Sequence, residues 1–241
     1  MLEASKRELT EIEVKSFATK LADLYDYSKL LLEFEWNHER MPAAWDTRQA
    51  LSPRAVIKDS RGAIEFAQSV HRWGFNNTSI RKSVLRNNSF ESCLLEVIRE
   101  WQKPDDAIER EVARTALRTL LCIQGLGLAT ATKWICFLDQ RRFAIYDSRV
   151  SYALHPLELD GGGRTFPFIG PRVSYGRRAE IVYGDSCVGN PDRAAITYLN
   201  FLAVIRKTAE ILTSRGDRRD WCASLVECCL FVEGKARLRK Q

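Results

Sequence analysis

The sequence predicts an all-α fold with a long irregular or small β insertion around residues 156–190. Apolar residues recur every three or four positions through most of the chain, which is the period of an amphipathic helix. Proline and glycine are scarce there, whereas four of the seven prolines lie from Pro156 to Pro191. A hydrophobic share of 45% is typical of a globular protein. The 241 residues suffice for one large domain or two small ones.

Composition restricts the compartment and the partner. No run of about eighteen apolar residues occurs, and the N-terminus lacks the apolar core of a signal peptide, so we expect neither a membrane span nor a secretory leader. Seven irregularly spaced cysteines indicate reduced thiols in a cytoplasm. The net charge of +6 and the pI near 9 favour a polyanionic partner such as nucleic acid.

The helical period and the capping residues place the elements on either side of the centre. Helices are predicted over residues 8–38, 61–73, 91–102 and 105–121, and again over 191–213 and 217–233. Asp59-Ser60 is the predicted start of the second helix and Gly74 its end. Pro104-Asp105-Asp106 predicts the first turn of the fourth helix, because proline and acidic residues favour a helix start. Gly234 is the predicted end of the last helix.

The centre of the chain is the turn Ile123-Gln124-Gly125-Leu126-Gly127, which an apolar helical run enters and another leaves. Two glycines permit a turn too tight for larger side chains. The short residues Ala129 and Thr130 then let backbone N–H groups at the start of the second helix approach a phosphate, where the helix dipole favours the anion. This pattern resembles a helix-hairpin-helix, the phosphate-binding turn of many DNA-binding proteins. An ordinary hairpin of two helices with a glycine C-cap has the same pattern.

Twenty residues after Gly127, the strand-like segment 143–146 leads to Asp147 and to a short helix that ends at about Leu154. A Gly-x-Gly-x-x-Thr-Ala hairpin followed by an aspartate at this distance resembles the core of the helix-hairpin-helix DNA glycosylase superfamily, here over Leu117–Val150. Residues 219–235 resemble the last helix of compact bacterial proteins grouped with 8-oxoguanine glycosylases.

The resemblance implies a single unit over residues 1–241 with two helical lobes. The hairpin-plus-aspartate core would span 105–155, followed by the irregular segment 156–190 and the C-terminal helices 191–234. It further implies a bacterial, cytoplasmic monomer that binds double-stranded DNA, flips out a modified base and hydrolyses its N-glycosidic bond, leaving an abasic site. The implied base is an oxidised purine such as 8-oxoguanine. Phage-defence glycosylases of the same wide family instead excise hypermodified bases such as glucosylated hydroxymethylcytosine.

Asp147 and Lys133 are the candidate catalytic residues. Breaking an N-glycosidic bond builds positive charge on the sugar, which the carboxylate of Asp147 would stabilise while it orients a water. A plain helix N-cap is the alternative interpretation of Asp147. Family members with lyase activity carry a lysine nucleophile two residues after the second glycine, and Ala129 at that position implies a monofunctional enzyme. Lys133 lies one helical turn further on the same face and is a candidate for a displaced nucleophile, the alternative being a solvated or phosphate-binding lysine.

The other predicted contacts are to DNA. The predicted DNA-binding residues are Gly125, Leu126, Gly127, Ala129, Thr130, Arg141, Arg142 and Arg149. Arg149 would clamp a phosphate or pair with a carboxylate. Arg141-Arg142 would contact the DNA backbone or lie in a solvated loop. A wedge that fills the hole left by the flipped nucleotide is predicted at Phe75, Asn76 and Asn77, with helix capping as the alternative and Asn87-Asn88 as a rival segment.

No cofactor is expected to be required. Cys222, Cys228 and Cys229 lack the spacing and the fourth ligand of an iron–sulfur cluster, so we predict none. The resemblance implies that the backbone carbonyls of Leu121, Ile123 and Leu126 hold a monovalent cation, K⁺ or Na⁺, which bridges to a DNA phosphate.

Two other classes of function fit the same motifs. A non-enzymatic helix-hairpin-helix module would grip DNA without sequence preference, with Asp147 as a buried cap and no pocket in front of it. A degenerate glycosylase would keep the pocket and act as a sensor that binds a modified base without cleaving it.

Overall fold

The computed structural model describes residues 7–75, 78–154, 157–159, 163–164, 166–167, 169, 190–216 and 219–239. The helices in this part of the chain are α1 (Glu11–Leu24), α2 (Tyr27–Leu32), α3 (Ala43–Gln49), α4 (Ser60–Gly74), α5 (Lys82–Leu85), α6 (Phe90–Trp101), α7 (Arg110–Leu121), α8 (Leu128–Leu138), α9 (Ser148–Leu154), α10 (Pro191–Ser214) and α11 (Ala223–Arg239). The two short antiparallel hairpins are β1 (Glu35–Trp36) with β2 (Glu39–Arg40), and β3 (Glu158–Leu159) with β4 (Gly163–Arg164). The predicted all-α class is therefore confirmed.

Several predicted elements match the structure within a residue or two. The helices predicted over 61–73, 91–102 and 191–213 correspond to α4, α6 and α10. Asp59 caps α4 as predicted, because its Oδ1 accepts the Gly62 N–H at 2.8 Å. The β3–β4 hairpin lies in the segment where a small β insertion was predicted, while most of 156–190 lies outside the described residues.

The single helix predicted over residues 8–38 is wrong. The chain breaks after Leu24, where Asp26 accepts the Lys29 N–H at 3.0 Å and starts a second helix. A side chain that caps a helix competes with helix continuation, although the apolar period runs through the break. The β1–β2 hairpin then replaces the last predicted helical turn, with Asn37 and His38 at positive φ.

The boundaries of two other predicted helices also differ. Asp105–Ala107 form a separate 3-10 turn, and α7 begins only at Arg110. Asp105 accepts hydrogen bonds from Arg142 at 3.2 Å and from Arg206 at 3.4 Å, which hold this turn away from the helix. The last predicted helix, over 217–233, is α11, which begins at Ala223 and continues past Gly234 to Arg239. A Cβ at Gly234 would lie 1.9 Å from the Arg149 carbonyl oxygen. The glycine instead lets α11 pack closely against α9.

Helix packing forms two groups that share one core. In the first group α1 packs on α10, while α2 and α9 pack on α11. In the second group α4 packs on α6 and α8, and α6 packs on α7. Contacts of α10 with α7 join the groups. Trp134 of α8 is buried within the second group, where its indole N–H donates to the Ala67 carbonyl at 3.0 Å. No described helix has both the length and the apolar character that crossing a bilayer requires.

Candidate functional site

Two helices joined by a tight glycine turn form the predicted hairpin. Gly125 has φ +94°, a conformation that favours glycine, and a Cβ there would lie 3.3 Å from Val84 Cγ2. Gly127 is the N-cap of α8 in extended backbone, and its carbonyl accepts the Thr130 N–H at 3.0 Å. The N–H groups of Leu128 and Ala129 precede the first intrahelical hydrogen bond. They therefore have no acceptor within the helix and can donate to an acceptor outside it. Phosphate binding at this turn stays a prediction.

The return of the chain along α8 positions Asp147. Tyr146 donates its N–H to Thr132 Oγ1 at 3.2 Å, and this hydroxyl lies 3.4 Å from the Tyr146 carbonyl. Asp147 therefore lies at the start of α9, beside the first half of α8. Its Oδ1 accepts the N–H groups of Arg149 at 3.0 Å and of Val150 at 3.1 Å. The N-cap interpretation is confirmed for this oxygen, which leaves Oδ2 for other contacts.

Lys133 is the nearest cation to that second oxygen. Its Nζ lies 3.8 Å from Asp147 Oδ2, and the side chains are 5% and 14% exposed. Nζ also lies 3.5 Å from the Ala129 carbonyl and 4.9 Å from the centre of the Phe75 ring. Burial lowers the pKa of Lys133, against the opposing effect of Asp147. The alternative of a solvated lysine is therefore wrong.

A second ion pair, which the sequence did not single out, joins Arg48 of α3 to Glu227 of α11. Both residues are almost fully buried, and the guanidinium forms a hydrogen-bonded salt bridge with the carboxylate. Arg48 Nε donates to Gln140 Oε1 at 2.9 Å. Burial raises the pKa of Glu227, and Arg48 opposes that rise. A lone carboxylate, Glu227, in the apolar run 225–232 is a sequence signal that could have pointed to this pair.

Both pairs line one small cavity. Its wall consists of these four charged residues together with Phe34, Trp36, Trp73, Ile145 and Phe231. The cavity volume is about 10 Å³, which is room for about one water molecule. Two formal positive and two formal negative charges thus line a space whose uncharged wall is mainly aromatic.

Arg149 and Phe75 lie next to this wall. The Arg149 guanidinium lies 4.4 Å from the centre of the Phe231 ring, a cation–π distance. Phe75 packs against His71, with 4.5 Å between ring centres. Asn76 and Asn77 lie outside the described residues, so the predicted wedge stays a prediction. In the rival segment, Asn87 Oδ1 accepts the Ser89 N–H at 3.0 Å and stabilises a turn.

The structure places Arg141 and Arg142 at the opposite end of α8 from the hairpin. The eleven residues of α8 span about 16 Å. Arg141 forms a salt bridge with Asp220. Arg142 donates to Asp139 Oδ2 at 2.7 Å and to the Lys103 carbonyl at 2.6 Å. Arg141 and Arg142 therefore lie near neither the hairpin nor the cavity.

The C-terminal cysteines and the hairpin carbonyls are the positions that the sequence analysis considered for a metal or a cation. Within the described ranges, no group of three or more His, Cys, Asp or Glu side chains is placed to bind a metal ion. Cys228 accepts a hydrogen bond from Arg48, whereas the Cys229 thiol donates to the Tyr27 carbonyl at 3.4 Å, so the adjacent thiols face different partners. At the hairpin, the Ile123 carbonyl accepts the Leu126 N–H at 3.1 Å. A monovalent cation there stays a prediction.

Comparison of the chain with protein-family models, curated proteins and solved structures finds no match. A functional assignment therefore depends on the geometry of the hairpin and of the cavity.

Proposed function

We propose that this protein is a DNA glycosylase that hydrolyses the N-glycosidic bond of a modified base in duplex DNA and leaves an abasic site. The observation that carries the proposal is the position of Asp147 Oδ2 and Lys133 Nζ, 3.8 Å apart on the wall of a water-sized cavity. A structural N-cap needs only one carboxylate oxygen, and Asp147 keeps the other for the cavity.

The hairpin supports DNA as the partner. Lys133 lies five residues after Leu128, which is about 7.5 Å along the helix axis. A phosphate bound to the first turn of α8 would therefore bring its own strand close to the cavity. The net charge of +6 favours the same partner through the phosphate backbone.

The chemistry follows from the two oxygens of Asp147. Oδ1 is fixed by two backbone N–H groups, so Oδ2 has a defined position. This oxygen would orient a water and accept its proton as the water oxygen bonds to C1′ of the sugar. The C1′–N bond breaks, its electron pair leaves with the base, and the base nitrogen takes up a proton. The carboxylate also stabilises the positive charge that develops on the sugar.

Burial of Lys133 favours a second candidate mechanism at the same site. With its pKa lowered by burial, the amine is more readily neutral, and its lone pair could bond to C1′ as the base leaves. Opening of the sugar ring would then give an imine, which borohydride reduces to a stable adduct. We expect no adduct with wild type, because Ala129 occupies the position of the family's nucleophile. An adduct that is lost in Lys133→Met would instead establish the covalent mechanism.

Base release from defined duplexes tests the proposal. Wild type and Asp147→Asn are incubated with DNA that contains 8-oxoguanine, alkylated purines, uracil or glucosylated cytosines, and the free bases are identified by mass spectrometry. One base released by wild type alone would support the proposal and identify the substrate. DNA binding without release from any duplex would favour the binding module or the sensor.

A further inference from the structure

We propose that Phe75 is a positioning residue whose ring covers the Lys133 amine and prevents it from reacting with the sugar. This inference rests on the proposed function, and it explains how an amine beside Asp147 leaves hydrolysis as the outcome. It also gives Phe75 a role other than that of the predicted wedge.

The Lys133 amine is enclosed by groups of three different elements. Nζ lies 4.9 Å from the centre of the Phe75 ring, a cation–π distance, and 3.5 Å from the Ala129 carbonyl. The Lys133 side chain is 5% exposed, whereas that of Asp147, 3.8 Å away, is 14% exposed. The carboxylate is therefore more accessible than the amine to an approaching sugar.

Gly74 fixes the course of the lysine side chain. A Cβ at this position would lie 2.7 Å from Lys133 Cδ and 3.0 Å from Cε, so the stem packs directly on the last turn of α4. Non-bonded carbon atoms prefer a separation of about 3.5–4.0 Å, and a side chain at Gly74 would displace the stem. The glycine therefore lets α4 approach closely enough for the next residue, Phe75, to lie over the amine.

The backbone of Phe75 is held independently of its ring. Its N–H donates to the His71 carbonyl at 3.0 Å, and its carbonyl accepts the Thr78 N–H at 3.1 Å. The ring is half-buried and packs against the His71 ring, with 4.5 Å between the ring centres. Removal of the ring would therefore uncover the amine while these backbone hydrogen bonds remain.

An uncovered amine at this site has a defined reaction with DNA. The sugar of an abasic site exists in part as an open-chain aldehyde. The lone pair of the neutral Lys133 amine bonds to the aldehyde carbon, a water molecule leaves, and an imine forms. Borohydride adds hydride to the imine carbon, and the resulting secondary amine joins the protein covalently to the DNA.

A duplex with one preformed abasic site tests the cover, because this reaction requires no base release. Phe75→Ala should give about tenfold more borohydride-stable adduct than wild type, since the reactive fraction of the amine rises with the population of the uncovered form. The adduct should disappear in the double variant Phe75→Ala/Lys133→Met, which would assign it to this amine. Trp45→Ala is the matched control, because it removes a half-buried aromatic ring of α3, and its adduct yield should equal that of wild type.

Phe75→Tyr separates the cover from a loss of packing. It keeps the ring, so its adduct yield should also equal that of wild type. A rise in Phe75→Tyr or in Trp45→Ala as large as that in Phe75→Ala would show that loosened packing exposes the amine, and it would overturn the cover. Weaker DNA binding by Phe75→Ala without any adduct would show that the ring acts on DNA as a wedge, and it would overturn the cover as well.

Lysine labelling with formaldehyde and borohydride keeps the proposal testable if Phe75→Ala does not fold, and it needs no DNA. In the unsubstituted chain, Lys133 should be modified about tenfold more slowly than the exposed Lys82 of α5, because its reaction requires local opening. Equal rates, measured by mass spectrometry, would overturn the cover.

The two proposals fail in different ways. Base release by wild type with no adduct in Phe75→Ala would overturn the cover and leave the proposed function intact. Absence of both base release and DNA binding would overturn the proposed function, while slow labelling of Lys133 would still support the cover.

Discussion

Two pairs of opposite charges line the same cavity, yet they are held in different ways. Arg48 and Glu227 are in direct hydrogen-bonded contact and almost fully buried. Lys133 and Asp147 are 3.8 Å apart, which is beyond hydrogen-bonding distance. The first pair therefore has its donors and acceptors satisfied by each other and by neighbours, whereas the carboxylate oxygen and the amine of the second pair form no hydrogen bond with each other.

The surroundings of each pair explain the difference. Removing two charges from water is costly, and a buried pair persists where further hydrogen bonds satisfy it. Arg48 has such partners in Gln140 Oε1, Ser224 Oγ, Cys136 Sγ and Cys228 Sγ. Besides Asp147, the contacts of Lys133 Nζ among the described residues are the Ala129 carbonyl at 3.5 Å and the ring of Phe75. We call Arg48–Glu227 the tight pair and Lys133–Asp147 the open pair. We infer that the tight pair stabilises the fold and that the open pair carries the chemistry.

The largest expected effect is on the rate of base release in a variant of the open pair. Asp147→Asn should lower the rate of base release by about 10²–10⁴-fold, because an amide cannot take the proton of the water. The free energy of unfolding should fall by less than the roughly 3–5 kcal/mol expected for a broken buried pair, since asparagine is also a good N-cap and Lys133, at 3.8 Å, is not hydrogen-bonded to the carboxylate. Single-turnover release and urea denaturation measure the two quantities. Unchanged release would remove Asp147 from the mechanism.

Breaking the tight pair should mainly lower the free energy of unfolding. Arg48→Met should lower the free energy of unfolding by about 3–5 kcal/mol, because Glu227 is left as a buried carboxylate without its partner. Arg61→Met is the matched control, since Arg61 pairs with Glu65 at 2.9 Å on the surface with side chains 89% and 65% exposed. Its loss should not exceed about 1 kcal/mol. Similar losses in the two variants would contradict the structural role of the buried pair.

Variants of the glycine turn test DNA binding without changing either ion pair. Gly127→Val should lower the affinity for all duplexes by about tenfold, the equivalent of one charge-assisted hydrogen bond, because a side chain blocks the approach of a phosphate. Stability should be nearly kept, since Gly127 has φ −119° and ψ 161°, which valine adopts. Gly125→Ala, at φ +94°, should instead cost more than about 1 kcal/mol of stability. Fluorescence anisotropy and thermal unfolding give the two readouts, and intact affinity of Gly127→Val would refute the role of the hairpin.

What the sequence predicts well is local. The glycine turn and the position of Asp147 at a helix start lie within one stretch, and helical spacing also identified Lys133 as a neighbour of Ala129. Arg48 and Glu227 are 179 residues apart, and no local pattern pairs them. The sequence did not reveal the helix break at Asp26, because apolar residues keep their helical period on both sides of it. Gly234 is typical of a helix end, and only the packing of α9 against it explains why a glycine lies inside α11. Long-range packing decided each of these features.

The smallest expected effect is a pH dependence of stability that arises from Lys133 of the open pair. Burial lowers the pKa of Lys133 below its usual 10.5, so between the lowered value and 10.5 the unfolded chain binds more protons at this residue than the folded protein does. The free energy of unfolding should therefore gain a contribution that rises with pH in this window, by at most about 1.4 kcal/mol per pH unit. Burial raises the pKa of Tyr27 and Tyr198, and these residues contribute with the opposite sign at high pH. The difference between wild type and Lys133→Met, measured by urea denaturation from pH 7 to 10, cancels the tyrosines and isolates the lysine. Equal pH dependence in both proteins would mean that burial does not lower the pKa of Lys133, and the second candidate mechanism, in which its amine is the nucleophile, would lose its support.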